Sequence, residues 1–361
     1  MTAKVVVVGG GYGGAVSARA LDDIADVTLV EPRETFLHHV AHLRAVADPA
    51  WIDKLFIPYD GLLPRGRVVR DAAVRVWPET VELASGARLD ADYIVLATGS
   101  TGPFPTRIEA TARAAVTEQL QDLHASLGRA SGVLLLGAGA IGLEFAGEIA
   151  AAWPDKPVTV VDPASDLFGG RFPEELRTEL ARQLDELGVR VLLDTKLDTP
   201  PDTPAGVVSP FRVTTGDGEV LTADLWFRCY GGTVPSAYLG PELAAARQPG
   251  GRLAVTEHLR VTGHERVFAV GDLNDTPELK TGRAAGRQAE VVAANIRALI
   301  EGGPLTVHEP FPDGIILTLG PAGGAGHAPE LGLLGAEATA QFKGTFLLDH
   351  FRGLLGAGPV G

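Results

Sequence analysis

One pattern occurs twice in this chain and restricts what it can fold into: an aliphatic run, a glycine turn, a helix-forming stretch, and a second aliphatic run ending on an acid. The first copy is Val5-Val6-Val7-Val8, then Gly9-Gly10-Gly11-Tyr12-Gly13-Gly14, then an alanine-rich stretch, then Val27-Thr28-Leu29-Val30-Glu31. The second is Val133-Leu134-Leu135-Leu136, then Gly137-Ala138-Gly139-Ala140-Ile141-Gly142, then a stretch through Ile149, then Val158-Thr159-Val160-Val161-Asp162. A lone G-x-G-x-x-G is a weak signal, but both copies follow a predicted strand and open a predicted helix. The first glycine of each (Gly9, Gly137) permits a tight turn, and the second (Gly11, Gly139) lets a pyrophosphate approach the backbone. The third (Gly14, Gly142) lets the helix pack closely on the strand. Glu31 and Asp162 stand where a carboxylate accepts hydrogen bonds from ribose hydroxyls. The expected fold class is α/β with two Rossmann-like dinucleotide-binding domains.

Two further segments decide how these units are used. Tyr93-Ile94-Val95-Leu96 reads as a strand ending in the small-residue turn Ala97-Thr98-Gly99-Ser100, where the chain leaves the first unit. Val267-Phe268-Ala269-Val270 reads as a buried strand ending in Gly271-Asp272, and an Asp there can reach the ribityl chain and pyrophosphate of an FAD lying across the first unit. The second unit then serves a nicotinamide cofactor. Residues 1–105 and 246–310 are thus expected to form a discontinuous FAD-binding domain, 106–245 an inserted NADH-binding domain, and 311–361 a C-terminal segment near the flavin and acceptor entrance.

Composition removes several other classes. With 45 acidic against 31 basic side chains, the formal charge of −14 argues against general nucleic-acid binding. The one cysteine, Cys229, allows neither an internal disulfide nor a C-x-x-C pair, and its apolar neighbours Leu225-Trp226-Phe227 suit an inert packed thiol. His38, His39 and His42 are close in sequence but lack the further ligands of a closed zinc site, so no metal is expected. No signal peptide or apolar run of roughly 18 residues is visible, and a cytoplasmic location is expected.

The four motifs, in this order, resemble the two-dinucleotide-binding flavoprotein oxidoreductases. Within them, Phe36-Leu37-His38-His39-Val40-Ala41-His42-Leu43-Arg44-Ala45, the run Ala97 to Pro105, and Thr276-Pro277-Glu278-Leu279-Lys280 are similar to the subgroup of ferroptosis-suppressing quinone reductases and apoptosis-inducing-factor homologues. The resemblance implies FAD as cofactor, NAD(P)H as donor and a quinone as acceptor, reduced without a cysteine pair. The chain departs from the subgroup at His39, where Asn is usual, and in the tail from Phe342 onward. Thr2 stands where lipid-anchored members carry glycine, so no lipid anchor is expected.

The resemblance also implies roles for single residues. Lys280 would bring positive charge or a proton to the flavin, the alternative being a solvated lysine. Glu144 would lie near the nicotinamide pocket, the alternative being a helix-surface charge. His38 would bond the flavin or protonate a quinone oxygen, or else serve as a structural histidine. Arg44 would hold a pyrophosphate or a nearby carboxylate. A helix starting near Thr276 and Pro277 would point its positive end at the flavin. Asp162, followed by Pro163-Ala164-Ser165-Asp166, favours NADH over NADPH, although Arg171 is only a short loop away. The tail Phe346 to Leu355 suits core packing or a lid, with shallow membrane contact as the alternative. The rival functions are the same flavin chemistry with a prenylated aromatic or a redox protein as acceptor, and a flavin-bearing redox sensor. The sequence leaves the oligomeric state open.

Overall fold

The computed structural model describes residues 2–358. Its first sheet is built on β1 (Lys4–Val8), β2 (Asp26–Val30), β3 (Arg67–Val69) and β4 (Tyr93–Leu96), all parallel. Helix α1 (Tyr12–Leu21) crosses from β1 to β2. Central parallel strands are covered on both faces, which is why β1 and β4 read as unbroken apolar runs rather than alternating ones. Val5 to Val8 and Ile94 to Leu96 are all 2% exposed or less, and each such side chain contributes about 1.5–3 kcal/mol by leaving water.

The second sheet repeats the first. β5 (Val133–Leu136), β6 (Val158–Val161), β7 (Val189–Leu192) and β8 (Leu225–Arg228) lie in the order β7-β6-β5-β8, again parallel, with α2 (Ala140–Ala152) between β5 and β6. The chain then returns: β9 (Val267–Ala269) pairs with β4, completing the order β9-β4-β1-β2-β3. Helix α3 (Gly282–Glu301) runs against α1, and the contact is close because of glycine. A Cβ on Gly282 would come within 3.0 Å of the Tyr12 ring, and one on Gly13 within 3.3 Å of the Ala285 carbonyl oxygen.

The sequence places the start of this helix near Thr276 and Pro277, and the structure corrects that to Gly282. Thr281 is the cap, its hydroxyl accepting the amide of Ala284 at 3.1 Å. Thr276 is occupied otherwise, its hydroxyl and carbonyl both holding the Lys280 ammonium, so residues 274–280 form a polar loop ahead of the helix.

The C-terminal part is a three-stranded antiparallel sheet, β10 (Ile315–Leu319), β11 (Gly323–Ala328) and β12 (Gly332–Leu334), followed by α4 (Ala336–Lys343) and α5 (Leu348–Leu354). It packs on the second unit through Gly147 of α2, where a Cβ would lie 2.6 Å from Leu319. The tail turns inward onto the first unit. Phe346, Leu348 and Leu355 are buried, and the Phe351 ring stacks on Phe36 at 6.1 Å and meets Tyr12 edge-on at 4.9 Å. Among the described residues, no helix is long and apolar enough to cross a membrane.

Candidate active site

The two glycine turns have the same construction, contact by contact. Gly9 N–H donates to the Val30 carbonyl, and Gly137 N–H to the Val161 carbonyl, both at 2.8 Å. Glu31 accepts the amides of Gly10 and Arg33 at 2.7 and 2.9 Å; Asp162 accepts those of Ala138 and Ala164 at 2.6 and 2.8 Å. A Cβ on Gly14 would lie 1.8 Å from the Gly9 carbonyl oxygen, and one on Gly142 1.9 Å from that of Gly137. These glycines are required by packing alone.

Gly11 and Gly139 answer a different need. Both are extended, at φ −71° and −83°, and a Cβ on either would meet no heavy atom within 4 Å. Neither α1 nor α2 has a side-chain cap or an acid in its first turn. Each helix therefore turns uncapped amides and its positive end toward open space, an arrangement that receives a phosphate. The donor sets fit a dinucleotide at both turns. Each carboxylate keeps acceptor capacity beyond its two amide bonds, enough for ribose hydroxyls.

Around the first turn, Ala97 passes so close to Gly9 that a Cβ there would sit 2.6 Å from the Ala97 carbonyl oxygen. Thr98 is held by Tyr238, hydroxyl to hydroxyl at 3.0 Å, and Gly99 adopts φ 69° beside open space. Gly271, at φ 72°, donates its amide to Gln288 at 2.7 Å, and Asp272 accepts the Ser100 hydroxyl at 2.5 Å. The structure thus brings Ala97, Thr98, Gly99, Gly271 and Asp272 to the edge of the first turn.

Lys280 is half-buried and not a free surface lysine. Its ammonium donates to Asn274 Oδ1 at 2.8 Å and to the Thr276 hydroxyl and carbonyl at 2.8 and 2.9 Å, and burial pushes its pKa down to about 8. Asn274, fully buried, is the hub: its amide donates to Gln288 Oε1 and the Ala269 carbonyl. Glu278 sits behind it. Burial pushes this acid upward, but bonds from His308, Gln288 and the Phe311 amide prevail and hold it at about 2.

His38, expected either at the flavin or in a structural role, is fully buried with both ring nitrogens in use. Nε2 bonds the Phe346 carbonyl at 2.9 Å, which makes Nδ1 the acceptor of the Tyr12 hydroxyl at 3.3 Å, and Val40 N–H donates to Tyr12. Burial pushes its pKa down to about 4, so the ring is neutral at neutral pH. It ties the start of α1 to the C-terminal tail. His42 faces two carbonyls, that of Pro105 at 2.6 Å and that of His39, and a neutral ring donates to one of them.

Glu144 meets a partner that the sequence does not suggest, and Arg44 takes one of the two it does. Glu144 accepts the Lys343 ammonium at 2.6 Å, and Lys343 also donates to the Ile316 carbonyl. Arg44 donates from Nε to Glu148 Oε2 at 2.6 Å in a pair only 5% and 2% exposed, so of its two expected partners it takes a carboxylate. One nitrogen of Arg44 (Nη2) and one oxygen of Glu148 (Oε1) are buried without a protein partner. Burial raises the Glu148 pKa. Together Arg44, Glu148, Glu144 and Lys343 join the first unit, α2 and the C-terminal helix α4.

Comparison with known proteins agrees with this geometry. The chain is 30% identical to apoptosis-inducing factor homolog B of Dictyostelium discoideum, covering 96% of this chain and 95% of that protein. It is 30% identical to ferroptosis suppressor protein 1 of Homo sapiens, covering 89% and 87%. Its fold matches the sulfide:quinone oxidoreductase of Aquifex aeolicus with a TM-score of 0.77 at 20% identity, covering 98% of this chain and 92% of that one. The family model described as pyridine nucleotide-disulphide oxidoreductase matches residues 3–289. The redox disulphide of that description has no counterpart in this sequence, whose one cysteine is packed behind the second turn with its pKa pushed up to about 12 by burial. The chain therefore belongs to the pyridine nucleotide-disulphide oxidoreductase family and is an FAD-dependent NAD(P)H oxidoreductase.

Proposed function

We propose that the protein is an NADH:quinone reductase, with FAD held by residues 1–105 and 246–310, NADH by 106–245, and the acceptor entrance formed with 311–361. The observation that carries this reading is the repeated turn and carboxylate in a chain without a thiol pair. Two dinucleotides would be seated, and with no thiol pair to relay them electrons would leave the flavin directly for the acceptor. When bound, FAD supplies a two-electron carrier that takes hydride at N5.

The residues divide the remaining work. Gly9, Gly11 and Gly14 with Glu31 would seat the adenosine diphosphate half of FAD, and Ala97 to Gly99 with Gly271 and Asp272 would border its ribityl half. Gly137, Gly139, Gly142 and Asp162 would seat NADH. Lys280, still charged at neutral pH, would offset negative charge on the reduced ring. Glu144, fixed by Lys343, would orient the nicotinamide. His38, with both nitrogens occupied, would hold the tail over the cleft, and Arg44 with Glu148 would set the two units against each other. Phe342 and Leu347, 53% and 46% exposed, would form the apolar lip met by the acceptor.

Donor choice rests on Asp162, whose charge repels a 2′-phosphate. Two of the nearby cations are engaged: Arg171 makes a two-point contact with Asp313 at 2.7 and 3.0 Å, and Arg177 pairs with Asp166. A panel of quinones and prenylated aromatics assayed under NADH, with products identified, tests the function. Two-electron reduction of quinones supports it; turnover only with prenylated aromatics or a protein acceptor, or no turnover with any of them, would replace it with one of the rival readings.

A further inference from the structure

A dinucleotide brings a doubly negative diphosphate, and the first unit meets it with two carboxylates already in place, Glu31 and Asp272. Helix amides attract an anion, but gathering this much negative charge away from water is costly unless a cation joins it. Most cations around the first turn are committed. Arg44 is paired with Glu148 at 2.6 Å, and Lys280 is held by Asn274 and Thr276. Arg33 donates to the Ile108 carbonyl at 2.8 Å, and Arg19 to the carbonyls of Gly61 and Leu62 at 2.9 and 2.8 Å.

Two are held loosely: Arg252, exposed, makes one contact of 3.4 Å to the Asp272 carbonyl, whereas Arg107 reaches the Asp272 carboxylate itself. Its side chain makes only long contacts, each at 3.4 Å: to Asp272 Oδ2, to the Ser100 hydroxyl and to the Thr106 carbonyl. It is 32% exposed and stands beside the acid that borders the first turn. The loop that carries it is fixed on both sides, because His42 bonds the Pro105 carbonyl at 2.6 Å and Arg33 bonds that of Ile108. Within the loop, the Thr106 hydroxyl and the Arg107 amide both donate to the Pro103 carbonyl. A cation on a rigid loop, beside an acid and with its own hydrogen bonds stretched, is prepared for a stronger acceptor.

We propose that Arg107 binds the diphosphate of FAD, exchanging its long contacts at Asp272 and Ser100 for phosphate oxygens. The inference rests on the reading of the first unit as the FAD site. Arg suits the task because its planar fork meets two phosphate oxygens at once, which a lysine ammonium does not.

The test is the dissociation constant of FAD from the full chain, measured by dilution with the released flavin read by fluorescence. Arg107→Ala is expected to weaken FAD by at least about tenfold at low salt, with the gap to wild type narrowing as salt rises, since a charge–charge contact is screened. Arg107→Lys should fall between the two. Arg107→Gln, which keeps hydrogen bonding in the loop, repeats the test without charge if the alanine form folds poorly. A dissociation constant within about twofold of wild type, or a gap that salt does not change, overturns the assignment. A wild-type protein that binds no FAD overturns the underlying reading as well, and is told apart because the parent itself is then colourless.

Discussion

The two glycine turns are built alike and set in different surroundings. In the first, Tyr59 closes over the turn, donating its hydroxyl to the Gly10 carbonyl at 2.8 Å, and a Cβ on Gly10 would meet that hydroxyl at 2.5 Å. In the second, alanine replaces this glycine at Ala138, so nothing needs to come so near. The likeness extends further along the chain. Ala97 N–H donates to Val8 and Cys229 N–H to Leu136, both at 2.8 Å, and their Cβ atoms lie 3.3 and 3.4 Å from where a Cβ on Gly14 or Gly142 would stand. Ala97-Thr98-Gly99 and Cys229-Tyr230-Gly231 are thus equivalent, with the glycines at φ 69° and 87°. What separates the units is what returns to them: β9 with Asp272 to the first, the C-terminal sheet to the second. In the proposed reading, a shared backbone device would seat each nucleotide and the returning segments would assign its role.

The largest effects should come from the packing glycines. Gly14→Ala and Gly142→Ala each drive a methyl group into a carbonyl oxygen, and we expect a loss of more than about 4 kcal/mol in denaturant unfolding, or no soluble protein. Wild-type stability in either variant would mean that the turns are not tight. The open glycines sharpen the comparison. Gly11→Ala and Gly139→Ala should keep stability within about 0.5 kcal/mol, yet Gly11→Ala should lose FAD while Gly139→Ala keeps FAD and raises the KM for NADH at least about tenfold. Loss of the same ligand from both variants would break the assignment of the two units.

Smaller effects follow from side chains. Wild type should prefer NADH by about tenfold in kcat/KM, equivalent to about 1.4 kcal/mol, and Asp162→Ala should erase most of that margin. Initial rates with both nucleotides decide this, and equal efficiency in the wild type would mean that Asp162 turns away from the ribose. Lys280→Ala should slow turnover several-fold with FAD still bound. Because burial lowers the pKa of this lysine to about 8, the charge is present below that pH and lost above it. The wild-type advantage over Lys280→Ala should therefore shrink as pH rises through 8, and an advantage unchanged across that range would rule out a role for the charge. Cys229→Ala should do least, less than about twofold in rate, because alanine already fills the equivalent place in the first unit; a loss above tenfold would mean that the thiol participates.

The sequence displays the turns because their requirements are local: glycines at fixed spacing between an aliphatic run and a helix, with an acid one strand later. The same locality misled at α3. Thr276-Pro277 has the composition of a helix start, but the Thr276 hydroxyl is taken by Lys280, and Thr281 caps instead. The supports of the site could not be read at all, because they join distant positions. Lys343 meets Glu144 from 199 residues away, and His38 meets Phe346 from 308. Equivalence of Cys229-Tyr230-Gly231 with Ala97-Thr98-Gly99 was accessible from spacing, since each triplet follows an aliphatic strand, but only the pairing to β1 and β5 identifies those strands as partners.

The central claim is that one chain holds one flavin and one donor nucleotide in two differently employed copies of the same turn. Anaerobic titration of the purified protein with NADH tests it most directly, with bound FAD counted first and its visible absorption followed. The account predicts about one FAD per chain, bleached by about one equivalent of NADH and restored by added quinone. A colourless protein, about two FAD per chain, or a flavin that NADH leaves oxidised would contradict it.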